Sequence, residues 1–182
     1  MDNSVKKKIE AFFQQYTSLT FAKNQIIISP EEEIISIYFL KKGLVRMYII
    51  SEDGEEATIH VFRPDSFFPI MLSLSSRPNK YYLEAAADTE VVKAPAKEVV
   101  AFVKNDPEVL FDLTTRFADA ITGLMLRIEQ LISQGAYPKI VSLLLYLADT
   151  FGEKTESGIS IKLRFSHDQI GAWVGGARET VS

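Results

Sequence analysis

The side chains best suited to chemistry lie at the end of the chain, in the run Ser166-His-Asp-Gln-Ile-Gly-Ala-Trp-Val-Gly-Gly-Ala-Arg-Glu-Thr-Val-Ser. Arg178 offers a planar fork that matches O6 and N7 of guanine, and the Glu179 carboxylate can accept from N4 of cytosine. Ser166 and Gln169 have capping-box spacing, which predicts a helix from His167. Ile170, Trp173 and Val174 share one face of it, Gly175-Gly176 breaks it, and Ala177 restarts a helical pattern. A short helix, a glycine turn and a second helix opening on polar residues is how a helix-turn-helix meets a major groove. Two short amphipathic helices packed on a core satisfy the same pattern.

Other chemistries find less support. The chain has no cysteine, which removes disulfides, thiolate metal sites and cysteine-held iron–sulfur clusters. His60 and His167 are far apart and come without the carboxylates that a cupin-type metal centre needs. No nucleophile–base spacing and no phosphate-cradling glycine loop is evident, so the reading is not an enzyme, with no cofactor and no metal. A net charge of −4 gives no global nucleic-acid footprint, so DNA affinity rests on local residues. No apolar run reaches membrane-spanning length and the start carries no signal-like segment, from which a soluble, cytoplasmic protein is expected.

These residues need a scaffold, and 182 residues with 47% hydrophobic content are enough for one. Ile9, Phe12, Phe13 and Tyr16 make Val5 to Tyr16 an amphipathic helix. From Phe21 to about Ala94, short β-rich runs alternate with turns: Ile26 to Ile28, Ile35 to Leu40, Leu44 to Ile50, Ala57 to Phe62, Tyr81 to Ala86 and Val91 to Ala94. Asp53-Gly54 between two of them is a hairpin signal, because glycine takes the positive φ a tight turn demands. Such strands predict an antiparallel jelly-roll. From Pro107 onward Leu110, Leu113, Phe117, Ile121, Leu124, Ile128 and Leu131 recur at steps of three and four, a coiled-coil-like seam long enough to need a twin helix. Gln134 to Pro138 breaks this helix. The apolar segment Ile140 to Phe151 is expected to be buried between elements, and Ile159 to Leu163 to form a strand. The fold class is α+β: an N-terminal β-roll with flanking helices, a long dimerisation helix (about 107–134), then a partial winged helix-turn-helix. The boundary is set at the hinge near Gly135, dividing 1–134 from 135–182.

Ala177-Arg-Glu-Thr-Val-Ser resembles the recognition-helix signature of the cyclic-AMP receptor protein and fumarate-nitrate regulator family. The order of elements is similar over essentially the whole chain, with further likeness at Lys41 to Arg46, Asp53 to Glu56 and Val61 to Asp65. The resemblance implies that Arg178 and Glu179 read base edges, that Thr180 contacts phosphate and that Ser182 joins the DNA-binding set. It implies a homodimeric transcription regulator of double-stranded DNA, answering to a small-molecule effector at the β-roll, with RNA polymerase a further partner. Ala177 departs from the family's Ser, at a cost of about 1 kcal/mol in helix capping. The motif is expected to stop partway through its second helix.

In cyclic-nucleotide-binding members, a Gly-Glu after the Pro64 position opens a short helix over the phosphate, the Glu holds the ribose, and a later Arg pairs with the charge. Here Ser66-Phe67-Phe68-Pro69-Ile70 stands in place of Gly-Glu, and Asn79-Lys80 in place of Arg-Ser. Pro69 has no N–H to give. A pocket walled by Phe67, Phe68, Met71, Leu72, Tyr81 and Tyr82, with Arg77 and Lys80 nearby for an anion, suits an apolar ligand or is simply filled core, and filled core is favoured. Haem ligation by His60 is the gas-sensor variant, although a lone strand histidine is more often structural. The effector is therefore expected not to be a cyclic nucleotide. A ligand-binding or protein-interaction module whose helix-turn-helix does not read DNA is the alternative.

Overall fold

The computed structural model describes residues 2–75, 78–132, 136–156, 158–161, 166–167 and 170–171, in two compact units. The first unit comprises residues 1–49 and 58–118, the second residues 50–57 and 119–182. The hinge expected near Gly135 lies outside the described residues.

In the first unit α1 (Asn3–Phe13) starts at Asp2, whose carboxylate accepts from the Ser4 amide at 2.9 Å. Eight strands follow: β1 (Thr17–Phe21), β2 (Ile26–Ile28), β3 (Ser36–Lys42), β4 (Val45–Ile50), β5 (Glu56–Phe62), β6 (Phe67–Phe68), β7 (Tyr82–Ala85) and β8 (Thr89–Pro95). A short helix, α2 (Ile70–Leu74), separates β6 from β7. The strands make two four-stranded sheets, in the orders β1-β8-β3-β6 and β2-β7-β4-β5. This is the jelly-roll that the strand spacing predicts.

Side-chain alternation along the strands sorts the core into two layers. Tyr38, Leu40, Phe68 and Val91 of one sheet meet Ile28, Val45, Met47 and Leu83 of the other inside the roll. Their neighbours Ile37, Phe39, Phe67 and Val92 point the opposite way, onto Val5, Ile9 and Phe13 of α1 and onto α3 (Ala96–Asn105). β3 is thus apolar on both faces, which explains why Ile37-Tyr-Phe-Leu reads as a continuous run. The β4–β5 turn forms as expected at Asp53-Gly54, with Gly54 at φ +81° and its amide donating to the Ser51 carbonyl. Gly43 at φ +88° turns β3 into β4, and a Cβ there would lie 2.5 Å from the Asp88 carbonyl oxygen.

α4 (Pro107–Ile132) is a single 26-residue helix. Asp106 caps it: Oδ1 accepts from the Glu108 and Val109 amides at 3.0 and 3.3 Å. In the second unit α5 (Ala136–Phe151) leads into the hairpin of β9 (Gly152–Thr155) and β10 (Gly158–Ile161). The all-round burial expected of α5 is not found: Leu143 and Leu147 are buried, whereas Leu145 is 65% exposed.

Candidate functional site

The expected effector residues do not share one wall. Phe67 and Phe68 are adjacent on β6, so the sheet sends them to opposite layers. Phe68 is fully buried inside the roll, stacked on Tyr38 with ring centroids 5.3 Å apart and tilted against Phe62 at 5.5 Å. Burial pushes the Tyr38 phenol up, with the Glu32 charge adding to it, so the phenol stays neutral. On α2, Leu72 is buried and Met71 exposed. Tyr81 and Tyr82 are half-buried, Lys80 is exposed, and Arg77 lies outside the described residues. Among the described residues the centre of the roll is packed with apolar and aromatic side chains. Among the described residues no group of three or more His, Asp or Glu side chains could hold a metal. His60, in β5, meets Phe62 edge-on at 4.7 Å.

Asn79 is the residue whose role the sequence conceals. It is 3% exposed, and its side chain is used up by backbone. Nδ2 donates to the Ser29 carbonyl at 2.8 Å and to that of Tyr81 at 3.0 Å, while Oδ1 accepts from the Tyr81 amide at 3.0 Å. The Asn79 carbonyl accepts from the Glu31 amide at 2.8 Å. A position that could have carried a ligand-facing cation instead clips the β2–β3 loop to the start of β7.

A cation of the second sheet is also paired. Arg46 on β4 pairs with Glu84 on β7 at 3.3 Å, both nearly buried, and its guanidinium sits 4.0 Å from the centre of the Tyr48 ring. The pair lies on the face of its sheet opposite Val45 and Met47. A cavity of about 350 Å³ opens outside the roll, over Phe13 and Phe39, between α1 and the β5–β6 corner. Its lysines have partners: Lys6 pairs with Asp65 at 2.7 Å and Lys41 with Glu90 at 3.8 Å.

Two sides of α4 have different fates. Val109, Leu113 and Phe117 pack into the core of the first unit. Leu110, Phe111, Ile121, Leu124, Met125 and Ile128 remain 43–74% exposed. Of the expected seam, Leu113 therefore faces its own chain and Phe117 partly does, whereas Phe111 and Met125, outside that series, are exposed. The Leu131 side chain lies outside the described residues. Thr114 and Thr115 on this side donate their hydroxyls to the Leu110 and Phe111 carbonyls, so an apolar partner would leave neither unsatisfied.

Near the end of the chain the Ile170 amide donates to the Ser166 carbonyl at 3.0 Å, one turn of the helix predicted after Ser166. Arg178, Glu179, Thr180 and Ser182 lie outside the described residues. No described helix is long and apolar enough to cross a membrane.

The family model of the cyclic nucleotide-binding domain matches residues 18–106. A global nitrogen regulator of Nostoc sp. (strain PCC 7120) is 32% identical over 165 residues, covering 90% of this chain and 74% of the relative. The transcriptional regulator SdrP of Thermus thermophilus is 32% identical over 145 residues, covering 80% of this chain and 67% of its own. The crystal structure of a CRP/FNR-family transcriptional regulator, also from Thermus thermophilus, superposes with TM-score 0.70 at 28% identity, over 91% of this chain and 81% of that one. A c-di-GMP-responsive global regulator of Xanthomonas campestris shares the fold at TM-score 0.80 and 16% identity, over 96% and 87% of the two chains.

Proposed function

We propose a function that starts from one fact: this chain belongs to the cyclic-AMP receptor protein and fumarate-nitrate regulator family. The relatives it matches are transcriptional regulators, not enzymes. From this premise the chain is a homodimeric regulator of double-stranded DNA whose β-roll answers to an effector other than a cyclic nucleotide. Arg178 and Glu179 read base edges, and Thr180 and Ser182 support them from the backbone side. The exposed arc of α4 is the dimer contact, through Leu110, Ile121, Leu124 and Ile128 of the expected seam, with Phe111 and Met125 added. Effector binding reorients the recognition helices toward half-sites about one DNA turn apart.

One observation carries the effector part of the reading. Asn79, 3% exposed and bound three times to backbone, stands where a cyclic-nucleotide site would need its arginine. The Phe68 side chain in the roll and the Pro69 nitrogen at the start of α2 support the same conclusion, since neither offers phosphate a donor. If an effector enters here it is apolar and displaces aromatic side chains.

The test of the DNA part is a mobility-shift titration against promoter fragments from the source genome, using the protein encoded by the whole gene. Specific binding is expected, and Arg178→Ala is expected to weaken it by about 1–3 kcal/mol and relax one base position per half-site. Absence of specific binding, or an Arg178→Ala protein of unchanged specificity, contradicts the reading.

A further inference from the structure

Between β5 and β6 the chain turns through Arg63-Pro-Asp-Ser, with Asp65 at φ +68°, a left-handed conformation that Asp tolerates better than most residues. The Asp65 amide donates to the Leu40 carbonyl at 2.8 Å, and the Leu40 amide donates in return to the Ser66 carbonyl at 3.0 Å. Lys6 of α1 holds the Asp65 carboxylate at 2.7 Å. The Asp65 carbonyl is held from another direction: Arg116 on α4 donates Nη1 to it at 2.7 Å. Asp112, one turn earlier, fixes that guanidinium through Nε at 2.6 Å. The chain enters β6 two residues after Asp65, and β6 leads directly to α2.

We infer that Arg116 is the positioning residue that couples the β5–β6 corner, and with it β6 and α2, to the rotational setting of α4. The geometry makes the link close to all-or-none. A guanidinium about 5–6 Å from the helix axis moves about 2 Å when the helix turns by roughly 20°. A hydrogen bond already at 2.7 Å does not survive that displacement, since useful N···O distances end near about 3.2 Å. The carbonyl acceptor belongs to backbone in a conformation held by its neighbours, so its release loosens the corner itself. Asp112 keeps the guanidinium moving with α4 instead of following the carbonyl. This inference rests on the dimer reading only where α4 is said to be set by a partner helix.

The test is amide hydrogen exchange of residues 64–75 in four proteins: the unmutated chain, Leu124→Glu with Ile128→Glu, Arg116→Met, and the triple variant. In Arg116→Met, exchange over 64–75 is expected to rise at least tenfold while residues 3–13 keep their protection. The Leu124/Ile128 pair is expected to change exchange over 64–75 at least threefold when Arg116 is present, and not when it is Met. A merely structural Arg116 would give the first effect and leave the second response intact, which overturns the inference. Unchanged exchange in Arg116→Met overturns it as well. Should Arg116→Met fail to fold, Asp112→Asn carries the same test, with at least a threefold rise expected and no rise refuting. Sedimentation of the same samples tells the readings apart: a monomeric unmutated chain ends the dimer reading, and the inference then still requires that the Leu124/Ile128 pair change exchange over 64–75 only when Arg116 is present.

Discussion

Replacing Asn79 with alanine separates a structural clip from a ligand-facing loop residue. The change removes three hydrogen bonds in a site that is 3% exposed, and leaves the Ser29 carbonyl and both backbone groups of Tyr81 without these partners. At about 0.5–1.5 kcal/mol net for each bond, Asn79→Ala is expected to cost about 2–4 kcal/mol. For a domain of this size that is a large share of a total near about 5–15 kcal/mol. The assay is urea unfolding followed by circular dichroism; with a slope of about 1–3 kcal/mol per molar, the midpoint should fall by about 1–2 M with the slope unchanged. Asn79→Asp tests the direction of the bonds. It keeps the acceptor for the Tyr81 amide but turns a charged oxygen on two carbonyls, so it should be worse than alanine at pH 7. Burial and the carbonyls would raise that carboxyl above its unfolded value, so its penalty develops above about pH 4 and is relieved as pH falls toward it. Lys80→Ala, next door and exposed, should change stability by less than about 0.5 kcal/mol. An Asn79→Ala protein within about 0.5 kcal/mol of the unmutated chain would refute the clip and reopen the position as a ligand contact.

Other expectations can be checked in parallel. Leu124→Glu with Ile128→Glu should convert a dimer to a monomer in sedimentation, because both charges would face an apolar partner; a monomeric unmutated chain at micromolar concentration contradicts this. Calorimetry should find no saturable binding of cyclic AMP or cyclic GMP tighter than about 10 μM, an affinity near about 7 kcal/mol, and tighter binding would mean that the roll has been rebuilt around other residues. Asp106→Ala should lower the urea midpoint by removing the α4 cap and the Lys8 bond, while Asp106→Asn, which can still cap, should lower it less. The Lys8 hydrogen bond first, then the two amides, holds the Asp106 carboxyl below its usual range. Its contribution is therefore present above about pH 4 and lost as pH falls through the depressed value, so the gap to Asp106→Ala should close in acid.

The roll is legible in the sequence because turn chemistry and strand length are local. Asp53-Gly54 and Lys41-Lys-Gly43 announce their turns by residue type alone. β6 and α2 escape such a reading, since two and five residues carry no usable period. α3 escapes it as well, although its apolar spacing suits a helix. In α4 the three–four spacing exposes a broad apolar arc without saying which flank the chain uses for itself. Leu113 and Leu110 fit the same seam, yet one is 5% and the other 43% exposed. The site is hidden for another reason. Asn79 with Ser29, Arg46 with Glu84 and Arg116 with Asp65 join residues 38 to 51 positions apart, and no local pattern marks such pairs.

The most direct test of the central claim is selection of genomic DNA fragments by the protein encoded by the whole gene, followed by sequencing, with Arg178→Ala run beside it. The account predicts enrichment of a two-fold symmetric site with half-site centres about 10–10.5 base pairs apart, and loss of preference at one position per half-site in the variant. Fragments recovered without a shared symmetric site, or the same site recovered with equal strength by Arg178→Ala, would contradict it.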